Sequence, residues 1–61
     1  MPLTGKQMLK KAIDNGWKEV RIKGSHHIME KEGMTVPIPV HGNRDLEKGL
    51  EQKILKDLCF K

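Results

Sequence analysis

Between Trp17 and Val40 the chain alternates with a period of two, broken at two residue pairs that favour tight turns, Gly24-Ser25 and Glu32-Gly33. Nothing else in the sequence constrains the fold as strongly. A period of two specifies strand, and a two-residue turn specifies which strand pairs with which and in what register. Val20 and Ile22 alternate with Glu19, Arg21 and Lys23, a second strand covers 26–31, and Met34, Val36, Ile38 and Val40 alternate along a third. With glycine first, Gly24-Ser25 suits a type II′ turn. If both loops hold two residues, Lys23 faces His26, Ile22 faces His27 and Val20 faces Met29, while Met29 faces Val36 and His27 faces Ile38. Opposed residues share a face. Val20, Ile22, His27, Met29, Val36 and Ile38 are then expected inward, and Arg21, Lys23, His26 and Ile28 outward. A three-residue turn with a glycine bulge at Glu32-Gly33 is the alternative, and it would flip the second pairing.

Pro37 and Pro39 stand in the third strand without forbidding it. Two residues apart, their missing N–H groups lie on one side of the strand. A strand with that side turned away from the sheet loses no ladder bond, so the third strand is expected at an edge.

Helical spacing flanks the strands. Thr4-Gly5-Lys6-Gln7 reads as a capping box, followed by Met8, Leu9, Ala12 and Ile13 at helical intervals and by the stop signal Asn15-Gly16, so a first helix is expected over 4–15. After the turn cluster His41-Gly42-Asn43-Arg44, an apolar stripe of Leu46, Leu50, Ile54, Leu55 and Leu58 predicts a second helix, with Gly49 marking where it begins. The expected fold is α+β in the order α-β-β-β-α: a three-stranded antiparallel sheet with both helices packed on one face, forming one domain over residues 1–61. The other face is left to solvent or a ligand.

Composition narrows the class. Cys59 is the only cysteine, which excludes a disulfide-stapled mini-protein and favours a reducing compartment. No stretch reads as a targeting signal or approaches the roughly 20 apolar residues of a membrane span. The expected location is cytoplasmic. Twelve Lys and Arg against eight Asp and Glu give a net charge of +4, which favours a polyanionic partner. With Trp17 and Phe60 as its only aromatic residues, the chain lacks the ring platforms on which single-strand binders stack bases.

No P-loop, zinc-ligand spacing, CxxC or HExxH motif occurs, and no cofactor is expected. Adjacent strand residues point to opposite faces, so His26 and His27 do not make a metal pair. Cys59 has no organised base beside it and does not read as a nucleophile. His26 is the informative residue. It follows a tight turn and is expected on the open sheet face beside Arg21 and Lys23. An imidazole takes and gives protons near neutral pH, and neighbouring cations can hold a phosphodiester. RNA brings its own nucleophile, the 2′-OH, so such a site suits metal-free transesterification to a 2′,3′-cyclic phosphate. A bland reading stands beside this one: an exposed histidine among cations is more often plain surface, His41 a turn residue, and His27 a structural residue turned inward.

Four elements together resemble the HicA toxin family: Gly16-Trp17 after the first helix, Lys23-Gly24-Ser25-His26-His27 opening the second strand, Pro39-Val40-His41 ending the third, and Leu46 through Lys48-Gly49 to Ile54-Leu55-Lys56. The resemblance spans roughly residues 5–58. It implies a fold like that of double-stranded-RNA-binding domains and a ribosome-independent mRNA endoribonuclease. It also implies His26 as the catalytic histidine, Gly24 and Ser25 as the turn that presents it, and a HicB antitoxin that covers the active surface. Arg21, Lys23, His41 and Arg44 are the candidate RNA contacts. The chain departs from the family pattern at Pro37, at Leu50 where threonine is frequent, and around Leu58-Cys59-Phe60 where a glycine is usual. Two other readings remain open at this level, a non-catalytic double-stranded-RNA binder and a protein-interaction module. Only the nuclease has need of His26.

Overall fold

The computed structural model describes residues 3–58, in the order α1 (Gly5–Asp14), β1 (Lys18–Lys23), β2 (His26–Lys31), β3 (Met34–Pro39) and α2 (Lys48–Asp57). Both ends of α1 are made as the sequence reads. Thr4 is the N-cap: its hydroxyl accepts from the Gln7 N–H, and the Gln7 side chain accepts from the Thr4 N–H. At the other end Gly16 N–H donates to Ile13 O and Trp17 N–H to Ala12 O, the paired bonds of a Schellman motif. That motif brings the residue after the glycine back against the last turn, and Ala12 and Trp17 are both in the core.

The strands form an antiparallel sheet in the order β1-β2-β3. Glu32 (φ +52°) and Gly33 (φ +80°) both take positive φ, as a two-residue type I′ turn demands, so Lys31 pairs with Met34, Met29 with Val36 and His27 with Ile38. The three-residue alternative is not adopted. β3 is an edge, as its prolines require. Val40 N–H donates to Ser25 O, so N–H groups of that parity point toward β2 and those at 37 and 39 would point away from it.

β1 departs from the expected register. Lys23 pairs with His26, Ile22 with His27 and Arg21 with Ile28, but Glu19, not Val20, lies opposite Met29. Val20 is the extra residue of a β-bulge. The slip has clear causes. A straight ladder would set Glu19 opposite Glu30, whereas the bulged one sets Lys18 there, replacing like charges with opposite ones. It also turns Trp17 toward the helices, where it is 3% exposed. Burying an indole contributes about 4–6 kcal/mol, against about 1.5–3 for a valine. The Trp17 Nε1 has no hydrogen-bond partner among the described residues, a cost of about 1–3 kcal/mol that the burial still exceeds. Val20 and Ile22 are left 51% and 55% exposed, and neither belongs to the core expected of them.

The core joins both helices to one sheet face: Met8 and Ala12 from α1, Met29, Val36 and Ile38 from the sheet, Leu46, Ile54 and Leu58 from the second helical segment, and Trp17. Ile13 and Leu50, expected in the stripes, are exposed. Cys59 and Phe60 lie outside the described residues. Three contacts tie the N-terminal segment to residues 45–51. Leu3 donates its N–H to Glu51 and accepts from Leu46 N–H at 2.8 Å, and Thr4 bridges to Asp45. Among the described residues no helix is long and apolar enough to cross a membrane.

At Gly5 the first turn of α1 presses on the end of β3. A Cβ there would fall 2.3 Å from the Pro39 carbonyl oxygen and 2.8 Å from Val40 Cα, both backbone atoms. Gly5→Ala is therefore expected to destabilise the fold by about 1–3 kcal/mol, the usual range for forced overpacking. The denaturant midpoint measures it. An unchanged midpoint would show that α1 does not sit this close to β3.

Candidate active site

The open sheet face is the one the helices leave uncovered. By register it carries Lys18, Arg21 and Lys23 from β1, His26, Ile28 and Glu30 from β2, and Thr35, Pro37 and Pro39 from β3. His26 is exposed there, between Lys23 on one neighbouring strand and Pro39 on the other. Gly24 takes φ +60° in the turn just before it, with nothing within 4 Å of where a side chain would begin. Ser25 is half-buried, and its carbonyl holds the Val40 N–H at 2.8 Å. That bond makes the turn part of the β2–β3 ladder as well as of the first hairpin, so the start of β2 is held from both sides.

The same bond sets where the chain goes next. His41 follows Val40 directly, and a four-residue turn closes when Arg44 N–H donates to His41 O at 3.1 Å, with Gly42 at φ +59°. The turn returns the chain toward β2, and the strap from Thr4 to Asp45 and from Leu3 to Leu46 fixes the segment beyond it. The result is an open cleft of about 460 Å³ lined by His26, Pro39, His41, Arg44, Asp45, Leu46, Glu47 and Leu50. Its size falls in the range of small-ligand sites.

The predicted site residues therefore separate into two groups. His26, His41 and Arg44 come together in the cleft; Arg21 and Lys23 lie on the open sheet face to the other side of His26 and do not line it. Asp45, Glu47 and Leu50 line the cleft although the sequence reading did not place them in the site. Leu50 had a signal that pointed elsewhere: its spacing fits the apolar stripe, yet it sits in the first turn of α2, on the cleft side. The α2 N-cap, Glu47, makes no side-chain capping bond.

His27 has a different environment. It is on the helix side of the sheet, with its side chain 21% exposed, and its Nδ1 lies 2.5 Å from Glu19 Oε1. The bulge is what permits this pair. It carries Glu19 to the position opposite Met29, two residues along β2 from His27 and on the same face. His27 is thus a paired, half-buried residue rather than one packed fully in the core. Among the described residues no three His, Cys, Asp or Glu side chains gather as a metal centre would need.

A family model described as the HicA toxin of bacterial toxin-antitoxin systems matches residues 5–58. The chain belongs to the HicA toxin family. A comparison with curated proteins gives no match. The matched span runs from the glycine seated on β3 to Leu58, the C-cap of α2, and so takes in every residue that lines the cleft. Membership in the HicA family also supplies a class of partner, since the toxin of such a system is matched by an antitoxin.

The turn before His26 offers a direct check on this construction. An L-residue pays about 1–2 kcal/mol for the left-handed conformation, so Gly24→Ala is expected to lower stability by that amount through the backbone alone. Because no atom stands near the new methyl, the loss should appear in the denaturant midpoint without a change of fold by NMR.

Proposed function

We propose that this protein is the toxin of a toxin–antitoxin pair and acts as a metal-independent endoribonuclease on messenger RNA, with His26 as its catalytic histidine. A HicB-type antitoxin neutralises it by covering the open sheet face, and its place of action is the cytoplasm. One observation carries the reading: His26 is exposed on the uncovered face of the sheet, at a cleft it shares with Arg44, in a chain of the HicA family. An imidazole there can move a proton at the ribose 2′-OH or at the leaving 5′-oxygen. Arg44 can hold the phosphate as negative charge builds on it. Gly24 and Ser25 keep His26 in place. Arg21 and Lys23, on the face beside it, hold the neighbouring RNA backbone through their charge, which gives affinity without base specificity.

His26→Ala is expected to lower the cleavage rate by about 10²–10⁴-fold, the usual cost of losing a general acid or base. Its side chain is exposed, so stability should move by no more than about 0.5 kcal/mol. His27→Ala is the control. It removes the pair with Glu19 and should cost about 0.5–1.5 kcal/mol, a value kept modest by the partial exposure of both groups. Its activity should fall only as far as its folded fraction does. Cleavage rate against denaturant midpoint separates the two. If both variants cut at the wild-type rate, neither histidine carries the reaction; a wild-type protein that does not cut RNA at all would leave a chain that binds RNA or protein without cleaving.

Because the proton-transfer and charge-holding groups are all side chains, cleavage is expected to continue at an undiminished rate in excess EDTA. A strict requirement for Mg²⁺ or Mn²⁺ would replace this scheme with metal-activated water.

A further inference from the structure

We infer that His41 is the second proton-transfer group of the reaction, working with His26 across one phosphodiester held by Arg44. The inference rests on the endoribonuclease reading above. It begins from the ladder at the end of β3. Pro39 pairs with His26, and the Val40–Ser25 hydrogen bond carries that pairing one step further. His41 lies two residues beyond Pro39, just past the end of β3, where continuing the strand's alternation would give it the parity of the same sheet face. Diagonal neighbours of this kind stand about 7–8 Å apart. A spacing of that order leaves room for a phosphate between two imidazoles, and both histidines line this same cleft. The short turn from His41 to Arg44 brings a permanent cation to the same space.

Transesterification needs two proton movements. One group takes the proton from the 2′-OH as its oxygen attacks phosphorus; the other gives a proton to the 5′-oxygen as the P–O5′ bond breaks. The products are a 2′,3′-cyclic phosphate and a 5′-hydroxyl, with one proton taken up and one released. One histidine can take the proton and then return it only if attack and departure are separate steps; where they overlap, two groups are needed. The remaining ionisable groups of the cleft are Arg44, Asp45 and Glu47. Arginine keeps its proton in proteins, and a carboxylate can take a proton but in general has none to give at neutral pH, whereas an imidazole serves either role. His41 is the group of the right chemistry in the right place.

A substrate with sulfur in place of the bridging 5′-oxygen tests the division of labour, because a thiolate leaves without being protonated. On ordinary RNA, His41→Ala and His41→Gln should each lose about 10²–10⁴-fold in rate, as His26→Ala does. On the sulfur-bridged substrate, one of the two histidine positions should recover to within about tenfold of wild type and the other should not, since only the acid becomes dispensable. A rescued variant is folded by that measurement; near-ultraviolet circular dichroism establishes the same for the variant that is not rescued. Wild-type cleavage of ordinary RNA by folded His41→Ala, or rescue of both positions or of neither, overturns the pair. A wild-type protein that cuts neither substrate overturns instead the nuclease reading itself.

Discussion

The burial of Trp17 governs the register of the first hairpin and, through it, the two faces of the sheet. Trp17 is held from behind by the Schellman motif that ends α1, its backbone N–H donating to Ala12 O, and its indole enters the core that both helices share. Because strand side chains alternate, a residue that must face inward dictates the parity of those after it. Trp17 and the hairpin at Gly24-Ser25 ask for opposite parities along β1. The bulge at Val20 reconciles them by spending one residue. An edge strand tolerates this more readily than a central one, since a single ladder is interrupted. The bulge has a second effect there, because a twisted edge is a poor template for pairing with another chain.

The cleft depends on backbone contacts more than on side-chain ones. Its floor is the β2–β3 ladder extended by the Val40–Ser25 bond, and its far wall is a segment held by Leu3 and Thr4. Gly5 closes the arrangement by letting α1 approach the Pro39 carbonyl. Residues far apart in sequence are thereby held together at modest cost, because the groups that do the holding are already ordered by the fold. That leaves His26, His41 and Arg44 free of structural duty. A side chain without a packing role can be spent on chemistry, which contrasts with His27 and its bond to Glu19.

Much of this was legible in the chain. The capping box at Thr4–Gln7, the stop at Asn15-Gly16 and the glycine-first turn at Gly24-Ser25 are local signals, and each holds because it depends only on neighbours in sequence; the turn at Glu32-Gly33 was open between two loop lengths. The edge position of β3 followed from the proline spacing for the same kind of reason. Val20 and Ile22 misled because their alternation is indistinguishable from that of a core strand. The like charges that a straight ladder would oppose, Glu19 and Glu30, and the larger apolar surface of Trp17 outweighed them. Leu50 likewise fits a helical stripe, yet α2 turns it toward the cleft.

By itself the sequence determined the element order, the turn at Gly24-Ser25, the exposed place of His26 and the family to which the chain belongs, while the loop length at Glu32-Gly33 was settled by the structure. The features it determined are carried by residues close together in the chain or by a pattern repeated along it. Only the tertiary structure decided which candidate residues share a space. His26 and His41 are joined through a ladder bond across two strands, Arg44 through a turn, and Asp45 and Glu47 through a strap to the N-terminal segment. Such proximity is a product of long-range packing, and no local preference encodes it.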